Sequence, residues 1–277
     1  MHFAHGQYFK TQKTMKKLTL LFLAIFAITA STFAQNKPIY INIAFHKLKP
    51  GHTIEEAMAL EKKWKVIHLK RKAAGLIGAW AVYPIMNEYK SESVDYDYVS
   101  LNASEDLNKL TQYPEALGTA LMKEDPSFYS LMDETLKVQS IVRNKLTKVL
   151  ETTGPSNDLN SIILMETMKV AQQNYFAYLD FEKQVKAIQT DRIKAGNIQE
   201  WAFLQHMAPI SYEGSGQFTT LTFFKDLSKF DFDSSPVYIN GAKKYMNLTP
   251  EQFTKKVGDL RSINQSVLLQ YAVGTFN

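Results

Sequence analysis

Arg71–Pro84 reads RKAAGLIGAWAVYP and Arg192–Gln205 reads RIKAGNIQEWAFLQ. Arg71, Ala74, Gly75, Ile77 and Trp80 thus recur as Arg192, Ala195, Gly196, Ile198 and Trp201, each pair 121 residues apart. A period this long exceeds a solenoid unit and points to a duplicated domain. Glu61 and Glu182 fall on the same offset, whereas the DL-x-K of Asp106–Lys109 returns at Asp226–Lys229, 120 residues on, after a one-residue loop difference.

Each copy follows one plan. Ile39, Ile41, Ile43 and Phe45 alternate with Tyr40, Asn42, Ala44 and His46, the two-residue period of a half-buried strand. Thr53 and Glu56 form a capping box that predicts a helix from Ile54. Ala57, Leu60, Trp64, Ile67 and Arg71 recur at helical spacing along it, and Gly75 stops it. The second copy repeats this from Ser161 to Gly196. Two further strands, a helix and a last strand complete β-α-β-β-α-β in both, which is the ferredoxin-like order.

The predicted class is α+β: two tandem ferredoxin-like repeats whose antiparallel sheets pack face to face as a pseudo-dimeric α/β barrel, because a sheet roofed on one side must bury the other. The expected boundaries are 1–34 for an upstream segment and signal peptide, 35–152 for the first repeat, 153–159 for a linker and 160–277 for the second repeat. At Trp64, Lys65, Ile67, His68, Arg71, Ala74, Gly75 and Trp80 the chain carries a W-K-x-I-H…R…AG…W signature. In this it resembles the dimeric α/β-barrel superfamily in tandem form, and is similar to exported bacterial proteins of that type. The resemblance implies a fold more than an activity, since the superfamily hosts cofactor-free monooxygenases, haem-handling enzymes and binding modules.

From Met15, two lysines, an apolar run over Leu18–Ile28 and small residues to Ala34 follow the plan of a secretory signal, with cleavage expected before Gln35. The run is shorter than the roughly 20 residues of a membrane span, so export to the periplasm or beyond, without stable membrane insertion, is expected. The chain has 32 Lys+Arg and 27 Asp+Glu, but Lys10, Lys13, Lys16 and Lys17 lie in the first 34 residues with no acid beside them. The remaining 28 against 27 offer no basic surface for nucleic acid. With no cysteine there are no disulfides and no thiolate metal sites.

No H-E-x-x-H, P-loop, dinucleotide-binding or nucleophile-elbow motif occurs. No metal and no cofactor is predicted, with haem left open by the resemblance. A residue present in both copies, such as Trp80 and Trp201, serves the shared packing problem. A polar residue in one copy only is freer to serve a site. At the 121 offset His46 meets Thr167, His68 meets Gln189 and Phe45 meets Glu166.

The expected ligand site is therefore a wet cavity between the sheets lined by Tyr40, Asn42 and His46. His68, Arg71 and Arg192 are further binding candidates, and His46 or His68 is the candidate base. Alternation sends Glu166 toward the helix layer, toward Arg192 or a lysine. The function favoured is binding of a small apolar or aromatic molecule. A cofactor-free or haem-linked monooxygenase-like enzyme is the alternative, then a structural or oligomer-forming module. A homo-oligomer is compatible with each.

Overall fold

The computed structural model describes residues 37–92, 94–111, 123, 126–154, 161–209, 216–230 and 236–275. The signal-like segment and most of the expected linker lie outside the described residues. Pro38–Asn277 form one compact unit.

The first half runs β1 (Tyr40–Leu48), α1 (Ile54–Ala73), β2 (Ala79–Lys90), β3 (Tyr98–Ser104), α2 (Leu107–Thr111), α3 (Ser127–Val138) and β4 (Gln139–Thr152). The second runs β5 (Ile162–Val170), α4 (Tyr175–Lys194), β6 (Glu200–Ala208), β7 (Phe218–Phe224), α5 (Pro236–Met246), α6 (Pro250–Leu260), β8 (Arg261–Gln270) and the short β9 (Val273–Gly274). Local chemistry sets the ends of these elements. Thr53 Oγ1 accepts from Glu56 N while the Glu56 carboxylate accepts from Thr53 N, closing the capping box that starts α1. Gly75 and Gly196, at φ +67° and +73°, supply the left-handed residue after α1 and α4.

Within each half the strands order as ferredoxin-like units, β2-β3-β1-β4 and β6-β7-β5-β8, all antiparallel. The two sheets face each other and also pair along their edges, through β4–β6 and β8–β2, so eight strands close into a barrel. Ile43, Tyr83, Ile163, Leu204, Phe223 and Leu269, drawn from both halves, meet in the lumen as one apolar cluster. Eight strands leave an interior that side chains can fill, with room for at most one small ligand. The helices roof the outer faces, α1 over the first sheet and α4 over the second, each above its own apolar cluster.

The register corrects one expectation. His46 lies opposite Tyr98 and Ile141, and Met168 lies opposite Phe218 and Ile263, with a bulge just before His46 and before Met168. The first and last strands of the half, β1 and β4, therefore match β5 and β8 at an offset of 122, while α1 and β2 match α4 and β6 at 121. The connection from β1 to α1 spans residues 49–53, that from β5 to α4 only 171–174. The counterpart of Glu166 is thus Ala44, not Phe45, and that of His46 is Met168, not Thr167. A one-residue slip in a strand exchanges its two faces.

The edges where the halves meet are fastened alike. Trp201 N donates to Thr153 Oγ1 (3.0 Å) and Thr153 N donates to Trp201 O (3.0 Å). At the other seam Trp80 N donates to Thr275 Oγ1 (2.9 Å) and Thr275 N donates to Trp80 O (2.8 Å). Each half thereby supplies the threonine that satisfies the tryptophan backbone of the other.

Candidate functional site

Tyr40, Asn42 and His46 do not line the lumen. β1 sends Ile41, Ile43 and Phe45 inward, and its polar face turns to the helix layer, where helix side chains and neighbouring strands can satisfy it. Tyr40 joins the apolar cluster beneath α1 with Trp80 and Tyr98, and Asn42 sits opposite Asn102. His46 has both ring nitrogens engaged, Nδ1 3.1 Å from Gln139 Oε1 and Nε2 2.9 Å from Ser100 Oγ, and its ring stacks on Tyr98 at 4.2 Å. Burial lowers its pKa to about 4, so the ring is neutral at physiological pH. The expectation fails for these three residues because β1 turns its apolar side to the lumen, while its polar side finds hydrogen bonds beneath the helix layer.

The helix candidates lie in the same layer. His68 stacks on Trp80 at 4.2 Å, and burial, then the Arg71 charge, lowers its pKa to about 3. Arg71 Nη1 lies 3.1 Å from His68 Nδ1 and donates to Asn102 Oδ1 (3.2 Å). Arg192 Nη1 donates to Gln189 Oε1 (2.9 Å), and its guanidinium lies 5.6 Å from the centre of the Tyr238 ring. Neither arginine points to the barrel mouth. Each supports the end of its helix from within.

The second half holds the feature with most chemical potential. Between α4, the sheet and the α5–α6 pair lies a cavity of about 320 Å³. Trp201, Phe181, Phe253 and Tyr238 give it aromatic walls, and Glu166, Glu182, Gln189, Thr220, Thr222 and Arg261 give it polar ones. Glu166 faces the helix layer, as alternation requires. Burial pushes the Glu182 carboxyl up to about 7, and Glu166 adds to the rise, while Tyr178 and Arg261 oppose it. An acid so placed exchanges a proton near neutrality.

Register explains why the first half is filled where the second is hollow. At offset 121, Trp64 and His68 of α1 become Val185 and Gln189 of α4, so two rings give way to an isopropyl and a flexible amide. Trp64 packs edge-on against Phe128 at 5.5 Å and donates from Nε1 to Thr135 Oγ1 (2.9 Å). Val185 and Gln189 instead line the cavity. At offset 122, Ala44 becomes Glu166, which adds a carboxylate to the space so opened. The Trp64–Val185 difference was visible in the sequence. Its meaning depended on knowing which helix face roofs the sheet.

A second cavity, of about 330 Å³, opens at one mouth of the barrel between the two sheets, lined by Ile41, Ala81, Leu101, Val149, Leu221 and Phe223 among others. It lies between the sheets, where a wet cavity was expected, but Tyr40, Asn42 and His46 are not in its wall. Among the described residues no group of three or more His, Cys, Asp or Glu side chains could hold a metal ion, and no helix is long and apolar enough to cross a membrane.

A haem would need an axial donor. The described lining of the α4 cavity offers carboxylates and a phenol, with no imidazole, thiolate or thioether, and its phenol lies against Arg192. The buried rings of His46, His68 and His206 are held elsewhere. Among the described lining residues of this cavity, Tyr238 is therefore the one side chain of a type that ligates haem iron.

No family model matches the chain, and no curated protein matches it in sequence. Solved structures do match. A protein designated a monooxygenase from Fusobacterium nucleatum subsp. nucleatum is 11% identical with a TM-score of 0.52, over 87% of this chain and 94% of its own. A dye-decolorizing peroxidase from Bacteroides thetaiotaomicron is 7% identical at 0.47, over 86% and 94%. A protein designated a chlorite dismutase is 12% identical at 0.46, over 84% and 94%. At these identities the likeness concerns the fold alone, and it is carried by the first. In fold, the chain is a dimeric α/β barrel with both halves on one polypeptide.

Proposed function

We propose that the chain binds a small aromatic molecule bearing a hydroxyl in the cavity beneath α4. One observation carries this reading: a buried carboxyl, Glu182, whose pKa lies at about 7, forms part of the wall of an aromatic-sided space of about 320 Å³. Trp201, Phe181 and Phe253 offer ring faces to an aromatic body. The carboxylate form of Glu182 accepts a hydrogen bond from the hydroxyl. Where the hydroxyl is acidic enough, Glu182 takes its proton, which would make a monooxygenase-like reaction on the bound phenolate the catalytic form of the same site. A second reading places an apolar molecule in the barrel mouth, favoured by a mostly apolar lining there, with Glu105 and Glu200 among its polar residues.

2-Naphthol, whose fluorescence reports proton transfer to a nearby base, separates these readings. The expected result is a saturable emission change that grows through about pH 7 as Glu182 ionises. Val185→Trp, which puts the first-half ring back into the cavity, should abolish it, and Glu182→Gln should remove its pH dependence. Binding that survives Val185→Trp but is lost in Ala103→Trp, at the mouth, would move the ligand to the barrel. Binding indifferent to both would overturn the proposal.

We also propose that the chain is exported, on the pattern of Met15–Ala34. N-terminal sequencing of exported material should begin at Gln35, and material that retains Met15 would refute cleavage there.

A further inference from the structure

α3 packs on the first half with one face and leaves a second apolar face bare. Phe128, Leu131 and Thr135 are buried, the first two in one cluster with Leu60 and Ile67 of α1. Roughly 100° round the helix from them, Tyr129, Met132 and Leu136 recur at helical spacing. These three side chains are 59%, 43% and 59% exposed. Ser130, Asp133 and Lys137 make up the polar remainder of the exposed surface of α3.

The fold does not require this stripe. α3 and α6 end at Val138 and Leu260, directly before β4 and β8, so the two helices match at the same offset of 122 as those strands. Leu131 then matches Phe253, and both are buried. Tyr129, Met132 and Leu136 match Glu251, Thr254 and Gly258, all exposed. The second half solves the same packing problem with a polar or small outer face. An exposed apolar row confined to one of two equivalent helices marks an interaction surface.

The charges beside the stripe select its occupant. Asp133 and Lys137 lie one turn apart along one border of it, acid before base, and both are exposed. A two-fold axis perpendicular to α3 reverses that order, so Asp133 of each copy comes level with Lys137 of the other. The axis then passes at the level of Thr135, and the neighbouring Leu136 meets its own equivalent. Met132 follows on either side, with the Tyr129 rings at the two ends. A parallel neighbour, or a register that sets Asp133 level with Asp133, forfeits both ion pairs.

We propose that this face of α3 is the contact between two copies of the chain, an isologous dimer with the two α3 helices antiparallel. Three apolar side chains and their rim make a small interface, below the roughly 1,200 Å² of a stable complex, so the dimer exchanges with monomer at micromolar concentrations. The contact lies on the first half and does not depend on what the α4 cavity binds.

Sedimentation velocity of the full chain from about 5 µM to about 500 µM should show reversible monomer–dimer exchange. Leu136→Glu places two carboxylates beside the axis and should weaken the dimer about a hundredfold or more. Tyr129→Glu combined with Met132→Thr, the residues that α6 already carries, should do the same without lowering the melting temperature. Asp133→Lys alone and Lys137→Asp alone each set like charges level and should weaken association, whereas the double exchange should restore it. A wild type that stays monomeric over the whole range would overturn the proposal. So would a dimer left intact by Leu136→Glu or by the Tyr129→Glu, Met132→Thr pair, or a double exchange no tighter than the single ones.

Discussion

Beneath α1 the roof of the first sheet is solid. His68 lies flat on Trp80, and Trp64 fills the next turn against Phe128. Beneath α4 the matching tryptophan, Trp201, borders open space. Both halves nevertheless keep a buried glutamate on the helix, Glu61 and Glu182, each raised by burial to about 7. They differ in the tyrosine that tempers it. Tyr98 of β3 donates to Glu61 Oε1 (2.8 Å). In the second half position 218 is Phe, and the nearby phenol is Tyr178 on the helix, where the first half has Ala57; its buried hydroxyl makes no hydrogen bond among the described residues. Both halves thus keep a buried acid at the helix–sheet interface with a tyrosine near it, though only the first half closes the hydrogen bond. The rings at positions 64 and 68 have not survived, and their loss makes room for a ligand.

The largest effect expected from this contrast is at the tryptophans. Trp80→Ala should cost about 4 kcal/mol of unfolding free energy in urea, because the void opens in a packed layer. Trp201→Ala should cost closer to 3 kcal/mol, because its ring already meets a cavity. Equal losses would break the contrast between solid and hollow roofs.

Next comes the pH response of Glu182. Its folded pKa lies above the unfolded value, so its contribution is fully present below about pH 4.5 and is lost as pH rises through about 7. Relative to wild type, Glu182→Gln should gain on the order of 3 kcal/mol between pH 4 and pH 8. His46, His68 and His206, depressed to about 4, 3 and 3, act in the opposite sense, with stability complete above about 6.5 and falling as pH drops toward 4. Ligand bound to the carboxylate form would shrink the Glu182 effect, so repeating the melts with saturating 2-naphthol sharpens the test. A pH-independent difference between Glu182→Gln and wild type would deny the shift.

The smallest effect concerns what the halves share. Thr275→Val and Thr153→Val each leave a tryptophan amide without its hydroxyl acceptor and should each cost about 1–2 kcal/mol. A loss at one seam only would show that the two closures are not equivalent.

Much of this was legible from residues. The capping box at Thr53 and Glu56, the stops at Gly75 and Gly196 and the 121-residue echo gave the helices, the strand order and the barrel. The site was less legible, for two physical reasons. A loop shorter by one residue between β5 and α4 sets β1 and β5 at an offset of 122, so the 121-residue echo pairs Glu166 with Phe45 instead of Ala44. Alternation also says that a strand has two faces without saying which one faces the lumen. A polar face suggests a wet cavity and so sends His46 inward, whereas its partners Gln139 and Ser100 lie on the roofed side.

The two seams that close the barrel also set the terms on which its halves could diverge. In a dimer of identical chains every substitution is made twice, so an acid replacing Ala44 would appear in both halves of the symmetric assembly. A tether between the halves makes their meeting intramolecular and independent of protein concentration. One half can then remain a solid buttress while the other is hollowed.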